Sequence, residues 1–416
     1  MLSANVTPGR AGVLPTVAWL AVPNLAMFMV YMGILQVLLP IQVETLAPAD
    51  KVAQLGWVTG VGALVATLSN PVAGMLSDRT HSPWGRRAPW LLGAALAAVL
   101  ALVCLGQAAT LMQVTLAFCI VQMIMNAFQG VITAVLPERV PVAQRGLASS
   151  VVGLCFPAGI VLGSALCARF ADRVAGGYGA LGGVLIAATL VFLLFNRDLC
   201  RPWQREQAAR AAPEAASLAG FLSAFRSGDF RWTFVSRFFV VLAFAMISGF
   251  QLYLLQDHVR VPAGRSATDA LVDLNALSMA CMAAATLLAG PLSDALGGRR
   301  RIFVLAAAVC MGVSLVWLLL RPDEMGLRIY GIVNGLAFGA YLAVDAALIT
   351  QVLPDERHVA RDLGILNMAT AGPQILAPFL ASHIVGHLGG YPALLALAAA
   401  AAVVSGLAIL KVRGVR

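Results

Sequence analysis

One carboxylate stands apart from the rest of this chain. All of the acidic residues except Asp345 fall in loops or near the ends of long apolar runs. A carboxylate buried that deep in an apolar run is costly, so it must face protein or water, find a partner, or carry a proton. Asn334, Phe338, Tyr341 and Asp345 recur at i, i+4, i+7 and i+11, which sets them on one helix face. Arg237 lies in a different run. At ~1.5 Å per residue, Arg237 and Asp345 both sit roughly 8–11 Å from the nearer end of their runs. An Arg237–Asp345 pair could take up a proton when it opens and lose it when it closes. The same pair could also be a permanent structural ion pair, and the residues allow both readings.

Polar side chains form a second pattern. Thr115, Gln122, Asn126, Gln129 and Thr133 share one apolar run, and 122, 126, 129 and 133 follow one helix face. Amides offer both donors and acceptors, so such a stripe suits a wall against a polar solute. Hydrogen bonding between helices is the alternative; the solute wall is the reading adopted. Smaller sets are Asn24 with Tyr31, Ser248 with Gln251, and Asn367 with Thr370 and Gln374. For these, packing is an equal alternative. The candidate solute-binding residues are Gln122, Asn126, Gln129, Tyr341, Asn334, Asn24, Tyr31 and Gln251.

Other patterns carry no chemistry. Gly177-Tyr-Gly179-Ala-Leu-Gly182 fits GxGxxG, but it opens an apolar run with no strand before it. There is no GxxxxGK[ST] phosphate loop. His383 and His387 are spaced i, i+4, and an incidental pair is expected rather than a metal site. The seven cysteines form no CxxC, and six of them lie in apolar runs as small buried hydrophobes. No convergent nucleophile or carboxylate pair appears, so no enzyme, cofactor or metal is expected.

The elements that position these residues follow from composition. The chain is 60% hydrophobic and 11% charged, with a mean hydropathy of +0.86. Soluble domains carry about 25% charge, so this chain cannot cover a globule with polar surface. Apolar runs of about 20 residues, enough to cross ~30 Å of hydrocarbon, recur along it. Twelve spans are predicted: 18–40, 52–75, 88–108, 111–136, 146–168, 178–196, 232–256, 271–293, 301–320, 327–352, 361–385 and 391–411. With the N-terminus inside, roughly three times as many lysines and arginines fall in cytoplasmic as in outer segments. Both termini are therefore expected in the cytoplasm, with no cleaved signal peptide. The net charge of +9 is spread over many short loops, which argues against nucleic acid.

The halves repeat. Gly74-Met-Leu-Ser-Asp78 matches Gly290-Pro-Leu-Ser-Asp294, Leu136-Pro137-Glu138-Arg139 echoes Leu353-Pro354-Asp355-Glu356-Arg357, and Gly176-Gly177-Tyr178 matches Gly389-Gly390-Tyr391. The three echoes run in order at nearly one spacing, which implies a duplication of six spans. The expected organisation is a bundle over 1–196, a cytoplasmic linker over 197–231 that is partly helical along the membrane surface, and a bundle over 232–416.

The stretch between the second and third runs holds Gly74, Asp78, Arg79, Gly85, Arg86 and Arg87, a charged hinge at the water boundary with Asp294 as its counterpart in the second half. It resembles the signature of the major facilitator superfamily: a glycine, an aspartate four residues on, then Gly-Arg-Arg. Its longer form, Ser77-Asp78-Arg79 through Trp84-Gly85-Arg86-Arg87-Ala88-Pro89, looks more like the branch of glycoside–pentoside–hexuronide cation symporters and sucrose transporters. Leu353 through Asn367 is similar to bacterial, often actinobacterial, members of that group.

This resemblance implies an all-α membrane protein with the major facilitator fold, twelve transmembrane helices in two pseudo-symmetric six-helix bundles. It implies alternating access by rocking, a cavity lined by spans one, four, seven and ten, and a switch loop around Asp78 that braces the outward-facing state. Melibiose-type symporters of the branch use carboxylates in spans two and four. Spans 52–75 and 111–136 hold none, so that sodium and sugar site is not carried over.

The function expected is secondary active transport of a small organic solute, proton-coupled through Asp345 and Arg237, with sugars or related polar solutes as cargo. A proton-antiport exporter of drugs or secondary metabolites is the alternative, and a non-transporting sensor is the alternative of another class. The expected partners are a small-molecule solute, the proton and the lipid bilayer of the cytoplasmic (inner) membrane, with the chain acting as a monomer.

Overall fold

The computed structural model describes residues 10–79, 87–140, 145–196, 225–295, 299–352 and 359–412. Long apolar runs satisfy their own backbone groups only as helices, and the described residues are helical nearly throughout. In chain order the helices are α1 (Arg10–Gly33), a π-helical turn at Ile34–Leu38, α2 (Leu39–Leu46), α3 (Lys51–Arg79) and α4 (Ala88–Gly106). There follow α5 (Leu111–Arg139), α6 (Arg145–Ala168), α7 (Val174–Phe195), α8 (Gly228–Ser248) and α9 (Gln251–Asp257). The last five are α10 (Ala267–Ala295), α11 (Arg300–Leu320), α12 (Glu324–Val352), α13 (Val359–His387) and α14 (Gly390–Ile409).

Span one is α1, the π turn and α2 together, and span seven is α8 with α9. Among the described residues, eleven helical stretches are long and apolar enough to cross a membrane. The remaining long helix, α13, is continuous but carries Asn367, Gln374 and two prolines, Pro373 and Pro378, along its length. Large apolar side chains stand exposed along the helices, including Leu100, Leu288 and Leu320. A soluble surface does not expose apolar residues on this scale, whereas lipid solvates them.

The chain forms two compact units, Met1–Ile34 with Leu64–Ala208, and Leu35–Ala63 with Ala209–Arg416. Within the first, α1 packs on α6 and α7, and α4 packs on α5 and α7. Within the second, α8 packs on α13 and α14, and α11 packs on α12 and α14. Span one pairs with spans five and six as span seven pairs with eleven and twelve, so the duplication predicted from three short echoes extends to the packing pattern. The Gly-Gly-Tyr echo is not structurally equivalent. Gly389 and Gly390 have φ of +110° and +74° at the turn into α14, a conformation that favours glycine. Gly176 and Gly177 lie inside helix α7.

Small residues set the closest helix contact in the second unit. A Cβ at Gly335 would lie 2.3 Å from the Ser278 carbonyl oxygen, and one at Gly339 would lie 2.3 Å from that of Met282. Helix α12 therefore lies with its backbone against that of α10, as small-residue seams allow in membranes. Gly339→Leu should lower the apparent melting temperature of the purified protein, with a loss of about 1–3 kcal/mol for overpacking. Gly183→Ala, where a Cβ meets nothing within 4 Å, should leave the melting curve in place.

Candidate functional site

The charged pair lies in the second unit. Arg237 comes from α8 and Asp345 from α12, and Phe244 of α8 stacks on Phe338 of α12 with ring centroids 4.0 Å apart. Arg237 Nη1 stands 2.9 Å from Asp345 Oδ2, with side-chain exposures of 14% and 10%. That N–H is not aligned on the oxygen to complete a hydrogen bond, so the contact is chiefly coulombic. Tyr341 O–H donates to Asp345 Oδ1 at 2.9 Å, and Arg237 Nε donates to Thr370 Oγ1 of α13 at 2.8 Å. The carboxylate is thus buried with one positive and one neutral partner. Desolvation makes such a pair intolerant of losing either charge alone.

A neutral cluster surrounds the breaks in spans one and seven, also in the second unit. Gln36 belongs to the π turn, a device that recurs at functional sites. Gln251 opens α9, just past the interruption at Gly249 and Phe250. Asn275 Nδ2 donates to Gln36 Oε1 at 2.7 Å, and Gln36 Nε2 makes a longer 3.5 Å contact with Gln251 Oε1. Tyr330 stands near the side chains of Gln251 and Asn334. Gln36, Asn275, Tyr330 and Asn334 are 6%, 1%, 3% and 8% exposed. Asn334 Oδ1 is buried without a hydrogen-bond partner.

Of this cluster the sequence reading had named Gln251 and Asn334. It missed Gln36, Asn275 and Tyr330. A signal for Gln36 existed: Gly33 and Gln36 match Gly249 and Gln251 at nearly the spacing of the other echoes.

In the first unit, α5 carries the amide stripe. Gln122 and Asn126 are buried, and Asn126 Nδ2 donates to the Gln122 carbonyl of its own helix at 2.9 Å. Tyr31 O–H of α1 donates to Gln129 Oε1 at 3.4 Å, which joins spans one and four. Asn24, also buried, donates to the Leu20 carbonyl one turn back. Thr133 is exposed and bonds its own helix.

The predicted switch segment is only partly described. Helix α3 runs through Arg79 and α10 through Ala295, so the backbone of Gly74, Asp78, Arg79 and Asp294 is helical rather than in a turn. The side chains of those residues, and all of Gly85 and Arg86, lie outside the described residues, as do 197–224 of the predicted linker. Arg87 is 4% exposed at the start of α4.

A charged clasp closes one end of the second unit. Lys51 Nζ lies 2.9 Å from both Glu44 Oε1 and Asp257 Oδ1. Gln256 Nε2 donates to Glu44 Oε2 at 3.0 Å, and Tyr391 O–H donates to Asp257 Oδ2 at 3.0 Å. Tyr253 O–H donates to the Pro40 carbonyl at 2.7 Å. Nearby, a cavity of about 170 Å³ is lined by Arg260, Arg265, Asp273, Glu324 and Arg328, with Arg265 and Arg328 paired to its acids. The rings of His383 and His387 are 5.0 Å apart, and no group of three metal-binding side chains occurs among the described residues.

A family model described as MFS/sugar transport protein matches residues 21–358, more than half the chain. The chain belongs to that family. It is a multi-pass membrane protein with the major facilitator fold. Among solved structures it is similar to the nucleoside transporter NupG, at 14% identity and a TM-score of 0.75 over 95% of this chain and 99% of that one. It is similar to the peptide transporter POT in complex with sulfate, at 13% identity and a TM-score of 0.75 over 95% and 93%. A bacterial homologue of the lysosomal transporter Spinster, inward-facing and unoccupied, aligns at 18% identity and a TM-score of 0.64 over 98% and 95%. At such identities the likeness is one of fold. A 41-residue stretch is 49% identical to an uncharacterized symporter, sll1374, of Synechocystis sp.. That match spans 10% of this chain and 8% of the relative.

Proposed function

We propose that this chain is a secondary active transporter that moves a small polar organic solute, a sugar or a related compound, across the cytoplasmic membrane by alternating access, driven by protons. It works as a monomer with both termini inside, an orientation supported by the arginine bias of its loops. The observation that carries the proton-coupled reading is the buried Arg237–Asp345 contact with Tyr341 and Thr370 around it. Protonation of Asp345 would leave Arg237 buried without its counter-charge, which burial penalises, so proton binding would drive the two spans to rearrange. Spans two and four lack acidic residues in their apolar runs, which favours protons over a melibiose-type sodium site.

Solute recognition is assigned to Gln122, Asn126, Gln129, Asn24, Tyr31, Gln251, Asn334 and Tyr341. The loop around Asp78, with Asp294 as its counterpart in the second half, acts as the conformational switch.

The test is uptake into proteoliposomes of sugars selected by thermal shift. An imposed pH gradient should drive accumulation that a protonophore abolishes and a sodium gradient does not replace. Uptake indifferent to the pH gradient removes the proton-coupled reading.

A further inference from the structure

Away from the residues assigned to solute and proton, cations gather where three helices of the second unit end together. Near its start α8 carries Arg231 and Trp232, α11 opens on Arg300 and Arg301, and Lys411 lies just past the end of α14. Arg231 Cζ stands 5.6 Å and Lys411 Nζ 4.1 Å from the centre of the Trp232 ring, so two cations share one indole. Arg301 Nη2 donates to the Leu410 carbonyl, which ties the start of α11 to the end of α14. The Ser236 and Ser405 hydroxyls, 3.1 Å apart, join α8 to α14 deeper in the bundle.

The charge at these three helix ends is one-sided. Arg299 adds a further cation, whereas the first turns of α8 and α11 hold one acid, Asp229, and the end of α14 holds none. Arg231 and Lys411 are exposed and held against the Trp232 ring, and among the described residues neither forms an ion pair. Like charges gathered within a Debye length repel, and a cation–π contact offsets only part of that. The cluster therefore favours an anion.

The flanks decide which kind of anion. Ile302, next to Arg301, is 52% exposed, and Val309 and Val313 continue its helix face at i+7 and i+11. Leu410, next to Lys411, is 43% exposed, with Leu407 and Val403 about one and two turns back on the same face. Apolar rows of this kind are covered by acyl chains in a bilayer, and they run directly up to the cations. A soluble anion would leave them unused. Basic pockets between membrane helices take anionic head groups, and tryptophan settles at the same head-group level.

We propose that Arg231, Trp232, Arg301 and Lys411 form a binding site for the phosphate of an anionic phospholipid whose acyl chains lie along the exposed faces of α11 and α14. Arg301 spends one N–H on Leu410 and keeps others for a phosphate oxygen. Arg231 and Lys411 supply charge from either side of the indole pair, and the ring holds their side chains in place. In the orientation proposed above the lipid belongs to the inner leaflet. The site involves neither the solute nor the transported proton, so it can stand or fall apart from them.

The experiment titrates the purified full chain, in a zwitterionic detergent, with dioleoylphosphatidylglycerol, dioleoylphosphatidylcholine and inorganic phosphate, and reads the melting temperature. Phosphatidylglycerol should raise it saturably, and the other two should not. In Arg231→Gln/Lys411→Gln the apparent affinity for phosphatidylglycerol should fall about tenfold or more. Both side chains are exposed, so the melting curve without added lipid should hardly move. Arg321→Gln/Arg328→Gln removes the same charge from two exposed arginines at the opposite end of α11 and the start of α12, and should bind within twofold of wild type. Equal stabilisation by phosphatidylcholine, or by inorganic phosphate, overturns the inference. So does wild-type affinity in the Arg231 and Lys411 variant, or an equal loss in the control.

Discussion

Asp345→Asn is expected to stop uphill transport while leaving exchange intact. With one proton carried per solute, a one-unit pH gradient supports about tenfold accumulation, since each unit is worth about 1.4 kcal/mol. The variant should equilibrate its solute to a ratio near one, yet support counterflow between labelled and unlabelled solute at close to the wild-type rate. Asparagine keeps an oxygen that can accept from Tyr341, whose O–H lies 2.9 Å from Asp345 Oδ1, but it can neither bind nor release a proton in this pH range.

A stability cost accompanies the change. Arg237 is 14% exposed at its side chain and would keep only Thr370. Breaking a buried pair by removing one charge costs about 3–5 kcal/mol. The double variant Arg237→Gln/Asp345→Asn should recover much of the lost thermal stability and still fail to accumulate solute. Wild-type accumulation by Asp345→Asn would assign the pair a structural role instead.

Gly56→Leu should reduce net transport by more than about a hundredfold, a barrier increase of ~2.7 kcal/mol, without abolishing solute binding. A Cβ at Gly56 would lie 2.4 Å from Ser382 Cβ and 2.7 Å from the Pro378 carbonyl oxygen. One turn on, a Cβ at Gly60 would lie 2.4 Å from the Phe379 ring. The first turns of α3 thus lie directly against α13, and Trp57 meets Phe379 edge to face at 6.1 Å. Lys51, in the first turn of the same helix, is clamped by Glu44 and Asp257.

A leucine at position 56 meets backbone, which cannot give way as a side chain can. In the alternating-access cycle proposed above this contact forms and parts, and the leucine would keep it apart. Gly93→Leu is the control, because a Cβ there meets nothing within 4 Å. Initial-rate uptake and probe binding on the same preparations separate transport from recognition. Full-rate transport by Gly56→Leu would show that the cycle does not need this contact.

How much of this was legible beforehand varies by residue. The helices were, because hydrocarbon demands long apolar runs and leaves their backbone one way to satisfy itself. Their limits were read less well. Helix α3 continues through Arg79 and α8 begins at Gly228, since polar residues at the water boundary remain helical after the apolar pattern ends. Arg237 and Asp345 stood out because a charge inside an apolar run is expensive wherever the chain goes, and the structure brings them to 2.9 Å. Tyr341 was on the right face, but Thr370 as the partner of Arg237 could not be foreseen. That bond joins residues 133 positions apart.

By itself, then, the amino-acid order determined what the bilayer enforces one segment at a time: helical spans, their duplication, and the few charges that need partners. Only tertiary structure decided which polar groups meet. A π turn rotates Gln36 toward Asn275 across 239 residues, and small residues on α12 let it approach α10 closely. Hydrophobic burial is additive along a chain and can be read from composition. Hydrogen-bond pairing depends on the rotation and register of packed helices, which no single span specifies.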